Sequence, residues 1–520
     1  MDLKKTWPSI GVIIAAMLLI TGCSRGPRAG IIETPKEALE ESIEANTKEE
    51  LFNRNDLPEA WWTLFQDEQL STFIETAFRK NPTLHEAHAN ILLAASNARR
   101  VRANLFPNLF WGGDISREKL SETALIPFNN ATGSATSTNS ATAAAINAAG
   151  GMVPILPTGN QLPAAGGTAG IPVYFTQYET EFALNYDFDI WKKNQNTFRA
   201  ALGEYYANIA DEVFIHLELG ISIALVYYQL QIDYRKAEIA KQLIENQMRY
   251  AELVQLRRGG NIDAAQPVYN TLINVISAKQ VLLEIQADIA VNEYQLKTYL
   301  AGQFDETIND IQIDEQPLPK IPLPGDLPLS LIARRPDITA QLWLIESAGK
   351  QIEVAKAGFY PDFNIIALFG FQTIHLHELF NWKSCYYNVD PAFSLPIFDA
   401  GRLSANLTAS EINYDIAIYR YNALVLNAVR DVLDGLTLLR NADLQLKEAQ
   451  SKVKQQEDLL QLTILKKQNH LSSELDFLVS QQAVLISQNV EITTLGRKIQ
   501  AMLSLIKALG AGYKTCMEEG

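Results

Sequence analysis

The chain has 520 residues, 47% of them hydrophobic, with a formal net charge of −15. That length supports a large core and two or three domains. The acidic balance, with no run of basic residues to form a phosphate-binding face, argues against nucleic acid as a partner.

The chain opens "MDLKKTWPSIGVIIAAMLLITGCSRG". Lys4 and Lys5 form a positive start, and Ile10 to Ile20 form an apolar run too short for a comfortable membrane span. Residues 1–22 therefore read as a secretory signal. Ile20-Thr21-Gly22-Cys23 resembles the bacterial lipobox, which implies cleavage before Cys23 and a covalent lipid on it; Ser24 in place of aspartate favours outer-membrane sorting. The plainer alternative is an ordinary signal with a chance cysteine. Cys385 and Cys516 are the remaining cysteines; they could pair in an oxidising compartment, but two make no disulfide framework. No other run of 18 apolar residues predicts a transmembrane helix.

The sequence repeats itself. "KNPTLHEAHANILLAASNARRVRANLFPNLFW" from Lys80 aligns without a gap on "RRPDITAQLWLIESAGKQIEVAKAGFYPDFNI" from Arg334, at an offset of 254. Pro82 falls on Pro336 and Pro107 on Pro361, so each copy predicts a helix between two prolines and then a strand. A second pairing, at an offset of 209, sets Tyr186 against Leu395. Long helical stretches follow, roughly Asn194 to Arg258 and Arg402 to Lys467. In the second, Val425, Val432, Leu439, Leu446, Val453 and Leu460 recur at steps of seven; in the first, His216, Ile223, Leu230, Ala237, Ile244 and Ala251 match them. Such seams predict long helices packed side by side, each spanning roughly 100 Å.

Both stretches break at matching places, "RRGGNID" from Arg257 and "KKQNHLSSELD" from Lys466. Gly259 and Gly260 predict a helix end. Asp263 and Ser473 are candidate caps for returning helices, Ser473 having capping-box spacing to Asp476. The returns are expected to reach about Ala301 and Leu509. Between the halves, Pro317, Pro319, Pro322, Pro324 and Pro328 predict an extended connector. Residues 129–170, rich in Ala, Gly, Thr, Ser and Asn, predict a long loop in the first half alone.

Four segments alternate as strands. In Tyr174 to Phe188, one face carries Tyr174, Thr176, Tyr178, Thr180, Phe182, Leu184, Tyr186 and Phe188, and the other Gln177, Glu179, Glu181, Ala183, Asn185 and Asp187. Phe363, Ile365, Ala367, Phe369 and Phe371 share one side of the third strand. Tyr387, Val389, Pro391, Phe393, Leu395 and Ile397 oppose Asn388, Asp390, Ala392 and Ser394 in the fourth. The first, near Asn108 to Ser116, alternates least. Aromatic-out, polar-in strands of about ten residues are an outer-membrane barrel signature; a soluble sheet with its core on the apolar face is the competing reading. In lipid, four strands leave backbone groups unpaired at both edges, each costing several kcal/mol. Neighbouring copies must then complete the barrel.

Catalytic motifs are lacking: there is no P-loop, HExxH, CxxC or GxSxG. His375, His377 and Glu378 could bind a metal but read as a solvated loop, and His85 with His88 as a surface pair.

"PEAWWTLFQDEQLSTFIETAFRKNP", "LIARRPDITAQ", "VAKAGFYPDF", "SLPIFDAGRLSANL" and "VRDVLDGL" stand in an order that resembles the TolC-like outer-membrane factors, in particular the lipoprotein branch typified by OprM and NodT. The resemblance covers nearly the whole chain. It implies a mainly α fold with a membrane β-barrel portion, built from two repeats. Three copies of a four-stranded sheet close a 12-stranded barrel continuous with a long α-helical periplasmic barrel.

The implied division is 1–22 signal peptide, 23–68 lipid-anchored segment and equatorial elements, and 69–302 first repeat with loop 117–172. A connector at 303–328, a second repeat at 329–510 and a tail at 511–520 follow. The implied function is a passive exit duct in the outer membrane of a tripartite efflux or secretion system. Its partners are two further copies, a periplasmic adaptor, an inner-membrane pump and outer-membrane lipid; no cofactor is implied beyond the lipid on Cys23. A periplasmic adaptor-type or structural lipoprotein with coiled-coil hairpins is the alternative.

Gly259, Gly260, Asp263, Asn469, Ser473, Glu474 and Asp476 are then tip or gate candidates, and Gln177, Glu179, Glu181, Asn185 and Asp187 lumen-facing candidates. The family closes its tip with carboxylates and a basic partner. Here the aligned positions are Val479 and Gln482, with Glu474 and Asp476 nearby, so Asp476 is either a gate residue or a helix cap.

The lipid and the barrel make separable expectations. Cys23→Ala should abolish metabolic labelling with palmitate yet leave the protein dependent on detergent for extraction; release into the soluble fraction would favour the adaptor reading.

Overall fold

The computed structural model describes residues 29–31, 52–53, 58, 60–119, 174–260, 265–302, 321–322 and 335–511. Cys23, Asp263, Cys516, the signal segment and most of the long loop and the proline-rich connector lie outside the described residues. Two compact units are present: a helical unit and a sheet unit formed by residues 106–188 and 363–393.

The helical unit follows the duplication closely. Helix α1 (Glu68–Lys80) is capped by Asp67, whose Oδ1 accepts from Leu70 N at 2.9 Å, and it buries Leu70, Phe73, Ile74 and Ala77. Helices α2 (Pro82–Ala103) and α5 (Pro336–Ala357) each place proline in the first turn and run 22 residues. The long helices α3 (Lys193–Gly259) and α6 (Arg402–Gln468) are both 67 residues, and the returns α4 (Ala265–Tyr299) and α7 (Glu474–Ala508) both 35. The steps of seven are the packing seams: Ile223, Leu230, Ala237, Ile244 and Ala251 are buried in α3, and Val425, Val432, Leu439, Leu446 and Val453 in α6. Leu460 is half-buried near the helix end. Trp61, Tyr227, Leu296, Ile338 and Leu436 are fully buried in one cluster.

Two details repeat with altered chemistry. The residue before each first-turn proline reaches the last residue of the return helix. Asn81 Nδ2 donates to Tyr299 O at 2.9 Å, and Arg335 Nη1 to Ala508 O at 3.4 Å. Each satisfies a helix-end carbonyl that has no partner within its helix. The strand-to-helix turns also agree. Gly401 at φ +88° and Lys192 at φ +60° both take the left-handed conformation before their helices. The missing glycine in "DIWKKN" thus leaves the backbone unchanged, at about 1–2 kcal/mol for a residue with a Cβ. Asp189 and Asp399 compensate by accepting backbone N–H groups: Gln195 N to Asp189 Oδ2 and Leu403 N to Asp399 Oδ2, both 2.8 Å.

The sheet unit has four strands, β2 (Asn108–Lys119), β3 (Tyr174–Phe188), β5 (Asp362–Thr373) and β6 (Cys385–Ser394), in the order β2-β3-β5-β6. A two-residue parallel pair, β1 (Phe52–Asn53) with β4 (Ile321–Pro322), joins the N-terminal segment to the connector. Strand β2 runs past Ser116: Arg117, Glu118 and Lys119, expected in the loop, pair with Thr176, Phe175 and Tyr174. Strand β6 ends at Ser394, so Leu395 and Ile397 lie beyond the sheet. Pro396 accounts for this, since it has no N–H for a ladder and restrains the residue before it. Pro391, which likewise brings no N–H to a ladder, stands within β6, the last strand of the sheet in one chain.

Arg335 also forms a fork with Asp337 (2.8 Å) inside the helical unit and is 6% exposed. Arg335→Ala strands that carboxylate and the Ala508 carbonyl together. The expected loss is about 3 kcal/mol, read as a lower midpoint of thermal unfolding by circular dichroism. Asn81→Ala, which leaves no charge unpaired, should cost less.

Candidate functional site: sheet face and hairpin ends

The register of the sheet sorts its residues onto two faces. Leu109, Trp111 and Ile115 of β2 stand opposite Leu184, Phe182 and Tyr178 of β3. Phe363, Ile365, Ala367, Phe369 and Phe371 of β5 stand opposite Phe188, Tyr186, Leu184, Phe182 and Thr180. The alternation read in "FYPDFNIIALFGF" therefore belongs to one continuous apolar face. It is exposed, with Trp111 at 71% and Tyr387 at 79%.

The opposite face carries Gln177, Glu179, Glu181, Asn185 and Asp187, aligned with Ser116, Asp114, Gly112 and Asn108 of β2 and with Gln372, Gly370 and Asn364 of β5. Phe110, Ala183 and Leu368 interrupt it as a small apolar patch, which alternation in β3 alone did not reveal. Three side chains meet on this face. Tyr386 Oη lies 2.5 Å from Glu179 Oε1 and 2.7 Å from Glu181 Oε2. Gln177 Nε2 donates to Glu179 Oε2 at 3.1 Å. Since β5 separates β6 from β3, the tyrosine must cross β5. Gly370 of β5 stands directly opposite Glu181, and a Cβ there would lie 2.5 Å from Thr180 O and 2.8 Å from Glu181 Cβ, so β3 leaves no room for a side chain at that position. Tyr386 was missed in the sequence because it lies just before the alternating segment.

At the far end of the second hairpin, α6 closes with C-cap Asn469. His470 N donates to Lys467 O (3.0 Å) and Leu471 N to Lys466 O (2.8 Å), with His470 at φ +60°. That is a Schellman termination with histidine where glycine is usual. Helix α7 then starts from a capping box. Asp476 Oδ2 accepts from Ser473 N at 2.9 Å, and Ser473 Oγ accepts from Asp476 N at 3.2 Å. These bonds, the backbone one foremost, hold the Asp476 carboxyl below the usual range. Of the two roles left open for Asp476, the capping role is present. Glu474 pairs with Lys467, whose ammonium stands 4.6 Å from the Phe477 ring centre. Val479 is 51% exposed, and Gln482 is half-buried.

In the first hairpin, Gly259 is the last residue of α3 and Gly260 its C-cap at φ −86°. The end is thus not a left-handed glycine cap, and the chain that turns it, including Asp263, lies outside the described residues.

Each hairpin carries polar cross-links higher up. In the first, Asn292 Nδ2 donates to Asp233 Oδ2 at 3.2 Å, and Tyr234 Oη to Glu293 Oε1 at 2.5 Å. Burial, foremost, pushes the Asp233 carboxyl and the Tyr234 hydroxyl up. In the second, Lys498 Nζ lies 2.6 Å and Lys447 Nζ 3.1 Å from the Asp443 carboxylate. Burial raises the Asp443 carboxyl, but the two lysines outweigh it and hold it below the usual carboxylate range.

Elsewhere, His88 Nδ1 lies 3.2 Å from Glu212 Oε1, and the His375 and His377 rings are 5.9 Å apart. Among the described residues no three ligating side chains gather, and no helix is long and apolar enough to cross a membrane.

The family model for outer membrane efflux proteins matches residues 327–511. The chain is 26% identical over 454 residues to the multidrug resistance outer membrane protein MdtP of Escherichia coli strain K12, covering 87% of this chain and 86% of that protein. The outer membrane protein VceC of Vibrio cholerae superposes with a TM-score of 0.70 at 26% identity, over 88% of this chain and all of that one.

Residues 327–511 thus match the outer membrane efflux proteins, and most of the chain resembles TolC-like channels.

The Campylobacter jejuni CmeC outer membrane channel shares its fold, with a TM-score of 0.75 at 19% identity over 95% and 96% of the two chains. Both relatives are outer membrane proteins, and an exposed apolar sheet face with aromatic side chains suits a surface that meets lipid. The family is one of channel-forming proteins rather than enzymes.

The lowered pKa of Asp443 means that its stabilising contribution is complete above the ordinary carboxylate range and is lost as pH falls through the lowered value. Asp443→Asn should therefore melt below the wild type at about pH 7, with the gap closing towards about pH 3. An equal gap at both pH values would show that the charge of Asp443 contributes nothing.

Proposed function

We propose that three copies of this chain close one 12-stranded barrel in the outer membrane and one helical tunnel beneath it. Through this duct pass compounds delivered by an inner-membrane pump and a periplasmic adaptor. The observation that carries the proposal is the sheet order β2-β3-β5-β6: β2 and β6 are open edges, and lipid offers their N–H and C=O groups no partners. Pairing β6 of one copy with β2 of the next removes every edge at once.

Gln177, Glu179, Glu181, Asn185 and Asp187 then line the barrel lumen, where repeated carboxylates give a negative field that favours cations. The turns at Gly259, Gly260 and Asp263 and at Asn469, Ser473, Glu474 and Asp476 form the periplasmic end, which dilates to admit cargo. No chemical step and no cofactor is required. A lipid on Cys23 supplements the barrel by holding the N-terminus at the inner leaflet. The multidrug resistance named for the relative MdtP supports small toxic compounds as cargo, with selection made by the pump.

The test is purification in detergent followed by recording in planar bilayers. The protein should run as a trimer and form discrete pores, and Asp476→Ala, by loosening the start of α7, should raise single-channel conductance. A folded monomer that forms no pores would sink the proposal, and unchanged conductance in the variant would remove Asp476 from the gate.

A further inference from the structure

The two hairpins meet where α3 packs on α7, and most buried positions there are apolar: Ile244, Ala251 and Val254 of α3, and Leu478, Val484 and Leu485 of α7. Gln247 of α3 and Ser487 of α7 are buried polar exceptions, and so is Asn246, at 5% exposure. Its Nδ2 donates to Leu478 O at 3.1 Å and to Gln481 Oε1 at 3.0 Å. A backbone carbonyl only accepts, so the amide nitrogen must face α7. Asn246 Oδ1 is then left buried with no hydrogen-bond partner among the described residues.

The position gives this contact its meaning. Leu478 and Gln481 belong to the first two turns of α7, within about 10 Å of its start. Within the second hairpin, that start is already tied to α6 by the Lys467–Glu474 pair and by the Thr463 and Ser480 hydroxyls, 3.2 Å apart. The end of the second hairpin is therefore one piece, and Asn246 fastens it to the first hairpin.

We propose that Asn246 is a positioning residue for the closed state of the pore, a latch whose two hydrogen bonds hold the second hairpin against the first. This rests on the conduit reading above. The orphaned Oδ1 makes the latch releasable. When the hairpins part, water reaches the amide, both donated bonds are replaced and the oxygen gains a partner it lacks when closed. A purely apolar seam has no such compensation, since parting it exposes surface to water with nothing regained. A buried asparagine in a mostly apolar seam also fixes register, the best-attested use of a buried polar group between helices.

The test uses the full-length trimer in planar bilayers. Asn246→Ala and Asn246→Leu should each raise open probability about tenfold, and Gln481→Ala, which leaves the Leu478 carbonyl in place, should raise it less. Asn246→Leu separates the latch from packing. It restores apolar contact and should keep or raise the thermal stability of the trimer, so an open yet stable variant supports the latch. Variants that gate like a wild type that itself forms pores would overturn the latch and leave the conduit standing. A wild type that forms no pores would overturn both, since there would be no closed state to hold. If both Asn246 variants fail to assemble, Gln481→Ala decides alone: unchanged gating overturns the proposal.

Discussion

A backbone in lipid must satisfy its hydrogen bonds from within the protein, and the architecture of this chain follows from that requirement. Four strands fold into an ordered ladder, yet the ladder stops at β2 on one side and β6 on the other. Its apolar face is exposed along its length, in keeping with a surface for lipid rather than for a protein core. Closure by copies of the same chain solves both edges with one interface, because a repeated unit offers the complement of its own free edge.

The helical unit meets a different requirement. Water is available, so long helices can stand with one apolar seam each, and burial along that seam does the stabilising. Polar groups within the seams are then informative. Asp443 with Lys498 and Asp233 with Asn292 tie each long helix to its return. Asn246 ties one hairpin to the other. Removing one partner of such a contact costs more than the contact contributes, because the remaining group stays buried and unsatisfied. Such residues therefore specify which helix faces which.

Duplication explains why the halves match in length and not in chemistry. Asn81 and Arg335 occupy the same place and satisfy equivalent carbonyls at Tyr299 and Ala508. Lys192 and Gly401 take the same left-handed backbone. Geometry is shared because the connections demand it, whereas side chains at each position are free to differ wherever more than one group meets the demand.

Period and punctuation were legible from the residues alone. Steps of seven mark the seams, paired prolines bracket α2 and α5, and alternation sorts the faces of β3 and β5. These signals are local, since they depend on side chains a few positions apart, and the matching offsets of 254 and 209 paired the two halves before any contact was known. The extent of β2 past Ser116 was not legible, because its last residues are held by Tyr174 to Thr176 from the far side of a long loop. The Tyr386 contact with Glu179 and Glu181 reaches across a third strand that lies between them. Asn246 sits two positions past Ile244 of the heptad seam and carries no motif. The Tyr386 and Asn246 contacts join residues more than 200 positions apart, and their partners were set only when strands took register and hairpins took depth. Periodicity tells which way a side chain points; what it meets there is decided by tertiary packing.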